Sequence, residues 1–347
     1  MDGIDIARRA LELGEASVLA TLLAVEGHSY RKPGASMLLF RGGRIGSISP
    51  GCLEADLLER AEALLDTGVC ELVSYNLVPE EDAIWGDAIG CGGKLRILLE
   101  CVGTELRERL SEAYAAVEAG GVATLVRRVG EVEGAIRYSL LTAGSGKDRF
   151  GDVAMGQMLL ATTYAPKPRL FLFGAEDGTR AIAELAWRSE FRVIVGDWRE
   201  PLCSPDRFPH AEVVVGTPAT LVEAMAFGSG DYVVICSHNM RRDREMLELV
   251  LERGPVYVGV MGSSSRIRHL FDGLRMPPSV HAPIGLRIGA DGPDEIAVSI
   301  VAELIQARSA ARKQQGGAGD GLYRYLLGGG EQQSDGDAQA VLGTCSR

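Results

Sequence analysis

The strongest constraint on the fold is an alternation, from residue 169 onward, of short continuous apolar runs with helical segments. Strands buried on both faces lose the polar–apolar alternation of a half-exposed strand, so such runs are typical of a parallel sheet covered by helices on both sides. The region 169–312 is therefore predicted to be an α/β domain with a mostly parallel sheet. The predicted strands are RLFLFGA (169–175), FRVIVGDW (191–198), EVVVG (212–216), DYVVICS (231–237) and VYVGVMG (256–262).

The preceding part of the chain, residues 1–143, mixes helices and strands without that regular order, which predicts an N-terminal α+β domain. Within it, the four residues 41–44 predict a hairpin turn, and the helix predicted over 53–68 ends at Gly68. Residues 144–168 are predicted to link the two domains. Residues 313–347 are rich in Gly and Gln and are predicted to form a mobile tail.

Composition excludes several classes of function. A net charge of −11 argues against nucleic acid as a partner, because phosphate binding needs a clustered positive surface. No apolar run approaches the roughly 20 residues that span a membrane, and the N-terminus predicts an amphipathic helix rather than a signal peptide. The 7 cysteines include no CxxC pair, which argues against a structural zinc site or a disulfide framework and favours a reducing cytoplasm.

The turn after the first apolar strand of the second domain resembles a dinucleotide loop only in part. The fingerprint places glycines at 174, 176 and 179, but this chain has Gly174, Glu176 and Thr179, with Asp197 where a ribose-binding acid belongs. A carboxylate about 4 Å from a phosphate costs on the order of 1 kcal/mol in water and about 4 kcal/mol near a protein surface. The pattern predicts a Rossmann-like domain in which NAD(P) or another nucleotide binds weakly at best.

Two further strand ends carry polar residues where open α/β sheets bind ligands. His238 follows the strand predicted over 231–237, and Ser263 follows the strand predicted over 256–262. His238 is open to interpretation as a base, a metal ligand, a phosphate contact or a structural histidine. Ser263 is a candidate phosphate contact.

Motifs along nearly the whole chain resemble the XdhC/CoxI family, the accessory proteins of xanthine dehydrogenase and related molybdenum hydroxylases. The motifs are GHSYRKPGASMLLFRGGRIGSISPGCLEADL (27–57), GDAIGCGGKLRILLE (86–100), PRLFLFGAEDGTRAIAELAWRSEFRVIVGDWRE (168–200), ICSHNMRRDREML (235–247), VYVGVMGSSSRIRHL (256–270) and PIGLRIGADGPDEIAVSIVAELI (283–305). The resemblance implies a cytoplasmic chaperone of purine metabolism that binds molybdenum cofactor (molybdopterin), assists its sulfuration and delivers it to the apo-enzyme.

That role directs attention to anion donors and thiols in the first domain. Arg31 and Lys32 could bind a phosphate, although solvated loop charges explain them equally. Cys52 precedes a predicted helix, where a thiol is more readily a thiolate that could meet molybdenum, while a small buried apolar side chain is the alternative. Glu54 is a further candidate cofactor contact, or it complements the helix dipole.

Cys91, with Gly92 beside it, lies in a glycine-rich stretch where a ligand can approach the backbone closely. Cys52 and Cys91 are also the possible metal ligands. The implied partners are an apo xanthine dehydrogenase or related hydroxylase and a cysteine desulfurase, and a homodimer is plausible. Two alternatives stay open: an NAD(P)-linked oxidoreductase, and a purely structural component of the dehydrogenase complex.

Overall fold

The computed structural model describes residues 3–78, 92–129, 136–142, 158–314 and 340–344. The chain divides into two compact units. Residues 1–166 and 316–347 form the first unit, and residues 167–315 form the second.

The first unit contains two antiparallel sheets and three described helices. The described elements are α1 (Gly3–Glu12), β1 (Ser17–Gly27), β2 (Ser36–Phe40), β3 (Gly43–Gly46), α2 (Glu54–Thr67), β4 (Val69–Asn76), β5 (Gly93–Cys101), α3 (Thr104–Glu118), β6 (Ala123–Val129), β7 (Ile136–Thr142), β8 (Met158–Tyr164) and β15 (Ala340–Thr344). A six-stranded sheet has the order β15-β4-β5-β1-β2-β3, and a three-stranded sheet has the order β7-β6-β8.

The side-chain alternation of β1 explains how the larger sheet packs. Val18, Ala20 and Leu22 point to a core shared with α2, whereas Leu19 points to a second core shared with α1, α3 and the smaller sheet. Since successive side chains of a strand face opposite sides, a strand this apolar must be covered on both. The predicted hairpin is confirmed between β2 and β3, and α2 ends at Gly68, which adopts φ 69°.

Three connections of the larger sheet lie at one end, called here the loop end. They are residues 28–35 between β1 and β2, residues 47–53 between β3 and α2, and the connection from β4 to β5, of which the structure describes the outermost residues Leu77 and Gly92. The antiparallel register requires this, because Gly27 pairs with Gly93, Thr21 with Ser36, and Met37 with Gly46. The loop end therefore gathers segments that are distant in sequence.

Some expected boundaries differ in the structure. Within the stretch predicted as a linker, residues 158–164 form β8 and pair with β6, because their apolar side chains Leu160 and Ala161 are buried. Within the predicted tail, residues 340–344 form β15, whose backbone pairs with β4. Cys70 takes part in a disulfide bond, which the wide cysteine spacing did not predict. Residues 144–157 and 315–339 lie outside the described residues.

The second unit has the parallel sheet that the sequence predicted. Its elements are β9 (Arg169–Phe173), α4 (Asp177–Arg188), β10 (Arg192–Asp197), β11 (Glu212–Val215), α5 (Pro218–Met225), β12 (Tyr232–Ile235), α6 (Met240–Arg253), β13 (Tyr257–Val260), α7 (Ser264–Leu270), β14 (Val280–His281) and α8 (Gly292–Gln314). The strand order, β11-β10-β9-β12-β13-β14, is the doubly wound 3-2-1-4-5-6 arrangement of a Rossmann domain.

The sheet of the second unit is buried on both faces. Leu170 and Leu172 of β9 face the core under α4 and α8, while Phe171 and Phe173 face the core under α5, α6 and α7. The strand order reverses between β9 and β12, so the carboxyl ends of these two strands define the crevice where such sheets usually bind ligands.

Candidate functional site

The loop carrying Cys52 is held by a compact hydrogen-bond network centred on Ser49. The Ser49 Oγ accepts hydrogen bonds from the backbone N–H groups of Gly51 and Leu53, each at 3.2 Å. The same hydroxyl donates to Glu54, and the Ser49 backbone N–H donates to Glu54 Oε1 at 3.0 Å. One hydroxyl thus uses its donor and both acceptor sites, which fixes the path of the chain around Cys52.

Glu54, a predicted cofactor contact, is engaged by its own chain. Its side chain is 4% exposed, and Arg44 lies 3.6 Å away on the solvent side. A carboxylate at the first turn of a helix is also stabilised by the partial positive charge there. The structure therefore gives Glu54 a positioning role beneath the loop.

Cys52 lies where the sequence predicted it, two residues before α2 begins. Its thiol is not in a disulfide and is partly exposed, with one side packed on the core beneath α2. Its neighbour Gly51 adopts φ 128° with open space around it. The structure is compatible with both interpretations of Cys52, a thiol that meets a ligand and a small apolar side chain of the core. The side chain contacts the core and still reaches solvent just before α2.

Arg31 and Lys32 lie in the connection from β1 to β2. Lys32 is exposed and Arg31 is half-buried. Among the residues that the structure describes, neither side chain makes an ion pair or a hydrogen bond. The loop is closed below them, since the Gly34 N–H donates to the Leu22 carbonyl at 2.7 Å. Two cations are thus presented at the loop end without an anionic partner among the described residues.

Gly93 has a packing explanation, whereas Gly92 has only a backbone one. A Cβ on Gly93 would lie 2.1 Å from the carbonyl oxygen of His28, and one on Gly27 would lie 2.7 Å from the carbonyl oxygen of Gly92. Gly92 itself adopts φ 71°, and its N–H donates to Leu77 at 2.9 Å. The close approach that the sequence assigned to a ligand is made at least in part by β1. Cys91 lies outside the described residues.

The loop end therefore carries Arg31, Lys32, Cys52 and Gly92. The end of β3 and the start of β5 are three strand spacings apart across the sheet, or roughly 14 Å, and the register staggers them further along the strands, by roughly 20 Å. Burial raises the pKa of Cys101, at the opposite end of β5, and the nearby Glu100 raises it further. Cys101 is consequently the less reactive thiol of this unit's described free cysteines.

In the second unit, Gly174 follows β9 at the crevice, and Asp197 ends the neighbouring strand β10. Gly174 adopts φ 117°, and a Cβ there would lie 2.5 Å from the Cα of Ser237, so only glycine lets β9 and β12 end side by side. Asp197 is fully buried and accepts a hydrogen bond from the Ala175 N–H at 2.8 Å. Both residues lie at the strand ends that the sequence predicts, and a part in cofactor binding stays a prediction.

The sequence did not predict that Arg199 binds Asp197. The Arg199 Nε and Nη2 atoms lie 3.0 and 2.8 Å from the two carboxylate oxygens, and the Arg199 backbone N–H donates at 2.9 Å. Burial alone would raise the pKa of Asp197, but the hydrogen bonds from Arg199 and Ala175 outweigh it and lower the pKa below its ordinary value. The signal that could have revealed this is the Asp-Trp-Arg sequence, since an arginine two residues after a buried strand-end acid can turn back onto it.

His238 and Ser263 lie at the neighbouring strand ends. His238 is exposed and adopts φ 58°, a left-handed conformation that is uncommon for a residue with a Cβ. Ser263 caps α7, accepting a hydrogen bond from the Arg266 N–H at 3.2 Å.

A buried carboxylate, Asp243, lies next to these strand ends. Asp243 forms an ion pair with Arg266 at 2.5 Å and accepts a hydrogen bond from the Ser237 hydroxyl. Burial raises the pKa of Asp243 above its ordinary value despite these partners.

Among the described residues, no group of three or more His, Cys, Asp or Glu side chains is arranged to hold a metal ion. Nor is any described helix long and apolar enough to cross a membrane.

The fold and these sites define a two-unit protein in which an antiparallel α+β unit is joined to a Rossmann unit. The family model described as the XdhC Rossmann domain matches residues 170–304, and the model described as the XdhC and CoxI family matches residues 10–76. The chain belongs to the XdhC and CoxI family, as its motifs predicted.

Known proteins similar to this chain agree with that assignment. A protein of Bacillus subtilis (strain 168), described as a probable subunit of xanthine dehydrogenase, is 34% identical over 317 residues, which cover 86% of this chain and 95% of that protein. Molybdenum cofactor insertion chaperone PaoD of Escherichia coli (strain K12) is 24% identical over 313 residues, 86% of each protein. A crystal structure from Bacillus halodurans, described as a xanthine dehydrogenase, has a TM-score of 0.81 and 32% identity, covering 91% of this chain and 98% of that one.

Proposed function

We propose that this protein is an accessory factor for a molybdenum hydroxylase of the xanthine dehydrogenase type. It binds the molybdenum cofactor at the loop end, assists its sulfuration and delivers it to the apo-enzyme. The observation that carries the proposal is the presence, at one end of one sheet, of a partly exposed thiol and two cations that have no partner among the described residues. Two relatives, one named as part of a dehydrogenase and one as a cofactor insertion chaperone, support the same class of role.

The residues at the loop end fit the chemistry of this cofactor. When bound, the cofactor supplies a phosphate, a dithiolene and a metal-oxo centre. Arg31 and Lys32 present a guanidinium and an ammonium to the phosphate, and Arg can bind it in a bidentate manner. Cys52 presents a soft sulfur donor, the ligand type that molybdenum–sulfur chemistry requires, from a partly exposed position in the loop before α2.

The network around Ser49 has a defined part in this proposal. It holds the loop of residues 49–53 in one conformation, so that Cys52 is presented to the ligand without a loss of loop entropy on binding. Glu54 anchors the network from the helix side and does not need to touch the ligand. The apo-hydroxylase and a cysteine desulfurase are the proposed partners.

Binding of the purified molybdenum cofactor under anaerobic, reducing conditions tests the proposal. We expect stoichiometric binding by the wild-type protein, weakened at least about tenfold in Arg31→Ala, since a charge-assisted hydrogen bond is worth roughly 1.5–3 kcal/mol. Cys52→Ala should also weaken binding, because it removes the sulfur donor. Cys91→Ala tests the second thiol of the motif. Cys101→Ala is the matched control, because Cys101 lies on the same sheet but at its other end.

Absence of binding by the wild-type protein would overturn the proposal. A second candidate function, a structural component of the dehydrogenase complex, is favoured by the name of the Bacillus subtilis relative. Co-purification with the hydroxylase at fixed stoichiometry, without affinity for the isolated cofactor, would identify that role instead.

A further inference from the structure

The Rossmann fold of the second unit implies a dinucleotide, and the residues at the crevice do not fit one. In a dinucleotide site, the acid at the end of the second strand accepts hydrogen bonds from ribose hydroxyls, and a glycine lets the backbone approach the pyrophosphate. Here the acid is Asp197 and the glycine place is occupied by Glu176. Both groups are bound by the same side chain, Arg199.

Asp197 has no acceptor site left for a ribose. A carboxylate offers about four lone-pair sites. Oδ1 accepts from the backbone N–H of Arg199 at 2.9 Å and from its Nε at 3.0 Å. Oδ2 accepts from Arg199 Nη2 at 2.8 Å and from the Ala175 N–H at 2.8 Å. All four donors belong to the protein, and the carboxylate is fully buried.

The third guanidinium nitrogen binds the turn after β9. Arg199 Nη1 lies 2.7 Å from Glu176 Oε1, so the ion pair bridges the turn after β9 and the end of β10. The guanidinium carbon also lies 4.5 Å from the centroid of the Trp198 ring, a distance at which a cation and an aromatic face attract. Arg199 is thus held on three sides: by Asp197, Glu176 and Trp198.

A second arginine, Arg207, binds the turn after β9. Arg207 Nη2 donates to the Ala175 carbonyl at 2.9 Å and lies 3.0 Å from Asp177. Each acid of the turn, Glu176 and Asp177, therefore has its own arginine. A dinucleotide would have to displace Arg199 from a buried carboxylate and then face Glu176 without its counter-charge.

We propose that the Arg199 side chain is a built-in occupant of the ribose position, which makes the second unit a Rossmann domain closed to dinucleotides. The inference is independent of cofactor binding at the loop end, since it rests on residues of the second unit alone. It also implies that removing the Arg199 side chain together with the Glu176 side chain allows NAD(P) to bind at this strand end.

Fluorescence titration with NADH and NADPH tests this in the full-length protein. We expect no saturable binding by the wild type up to about 1 mM, the upper end of the KM range of ordinary enzymes. The variant Glu176→Gly/Arg199→Ala is expected to show saturable binding within that range, because removing a carboxylate close to a phosphate is worth roughly tenfold to thousandfold in affinity. Arg192→Gln, which breaks the exposed ion pair between the first residue of β10 and Glu212 of β11, is the control and should behave like the wild type.

Either of two results would overturn the proposal: saturable binding by the wild type below that limit, or a folded double variant that still does not bind. Circular dichroism establishes whether the double variant is folded. If it is not, Glu176→Ala/Arg199→Ser still removes both charges and most of the Arg199 side chain, and the same two criteria apply to it.

Discussion

The Arg127 guanidinium and the Glu100 carboxylate form an ion pair that is completely buried, with 2.7 Å between Arg127 Nε and Glu100 Oε2. Glu100 belongs to β5 of the larger sheet and Arg127 to β6 of the smaller one, so the pair ties the two sheets of the first unit together. Arg127 also donates to the Thr162 hydroxyl of β8 at 3.0 Å. Burial raises the pKa of Glu100, and Arg127 opposes that shift.

Breaking this pair from one side is expected to be costly. Arg127→Met should lower the free energy of unfolding by about 3–5 kcal/mol, because it leaves a buried carboxylate without a partner. Urea denaturation measures the loss. The double variant Glu100→Leu/Arg127→Met should recover most of it, since two apolar side chains of similar volume often replace a buried pair without loss. Equal destabilisation in both variants would contradict this account.

The pH dependence of stability should report on Asp197. Its pKa in the folded protein lies below the ordinary value of 3.8, so its contribution is present above pH 3.8 and is lost as the pH falls through the lower folded value. Unfolding free energies measured from pH 6 to pH 2 should therefore decline less steeply below about pH 4 in Asp197→Asn than in the wild type. Parallel declines would show that Arg199 and Ala175 do not stabilise the ionised form.

Gly174→Ala is expected to destabilise the second unit by more than about 2 kcal/mol, because its Cβ would overlap the backbone of Ser237 and the backbone has a positive φ. Gly178→Ala is the matched control four residues later. It lies in the first turn of α4 with open space around it, so alanine should be neutral or stabilise by about 0.5–1 kcal/mol. Thermal unfolding of both variants measures the difference.

Loss of the Ser49 hydroxyl should change the reactivity of Cys52. Ser49→Ala removes the acceptor for two backbone N–H groups and the donor to Glu54, so the loop should loosen and alkylation of Cys52 should rise several-fold. Peptide mass spectrometry after a short iodoacetamide pulse measures the rate. Cys101, in the same protein, serves as the internal control and should remain unreactive in both proteins. An unchanged Cys52 rate would show that the network does not position the thiol.

The second unit was largely predictable because its signals are local. Continuous apolar runs identified its first five strands, and the parallel order followed from helices between them. The first unit was predictable only as a set of elements. Antiparallel pairing is set by long-range register, so nothing local indicated that residues 340–344 would pair with β4. Residues 158–164 were assigned to a linker because they follow a glycine-rich stretch, although their burial places them in a sheet.

The candidate sites also divide into features with a local sequence signal, which are predictable, and contacts between distant residues, which are not. Cys52 was recognised because a thiol before a helix has a local meaning, and α2 begins where the sequence placed it. The partner of Asp197 was missed because Arg199 looks in sequence like any solvated loop charge. The contact between Glu54 and Ser49 is not predictable, since a short polar residue five positions earlier gives no sequence signal of a contact, and a role of Glu54 in cofactor binding stays a prediction.

The position of β15 has a consequence for how the chain is assembled. Because its last described strand returns to the first unit, the Rossmann unit is an insertion between β8 and β15 rather than an appended module. A chain cut after Pro166 would lack the strand that covers the edge of β4, leaving unpaired backbone groups open to pairing with another chain. During synthesis, the larger sheet of the first unit therefore stays one strand short until the Rossmann unit has already been made.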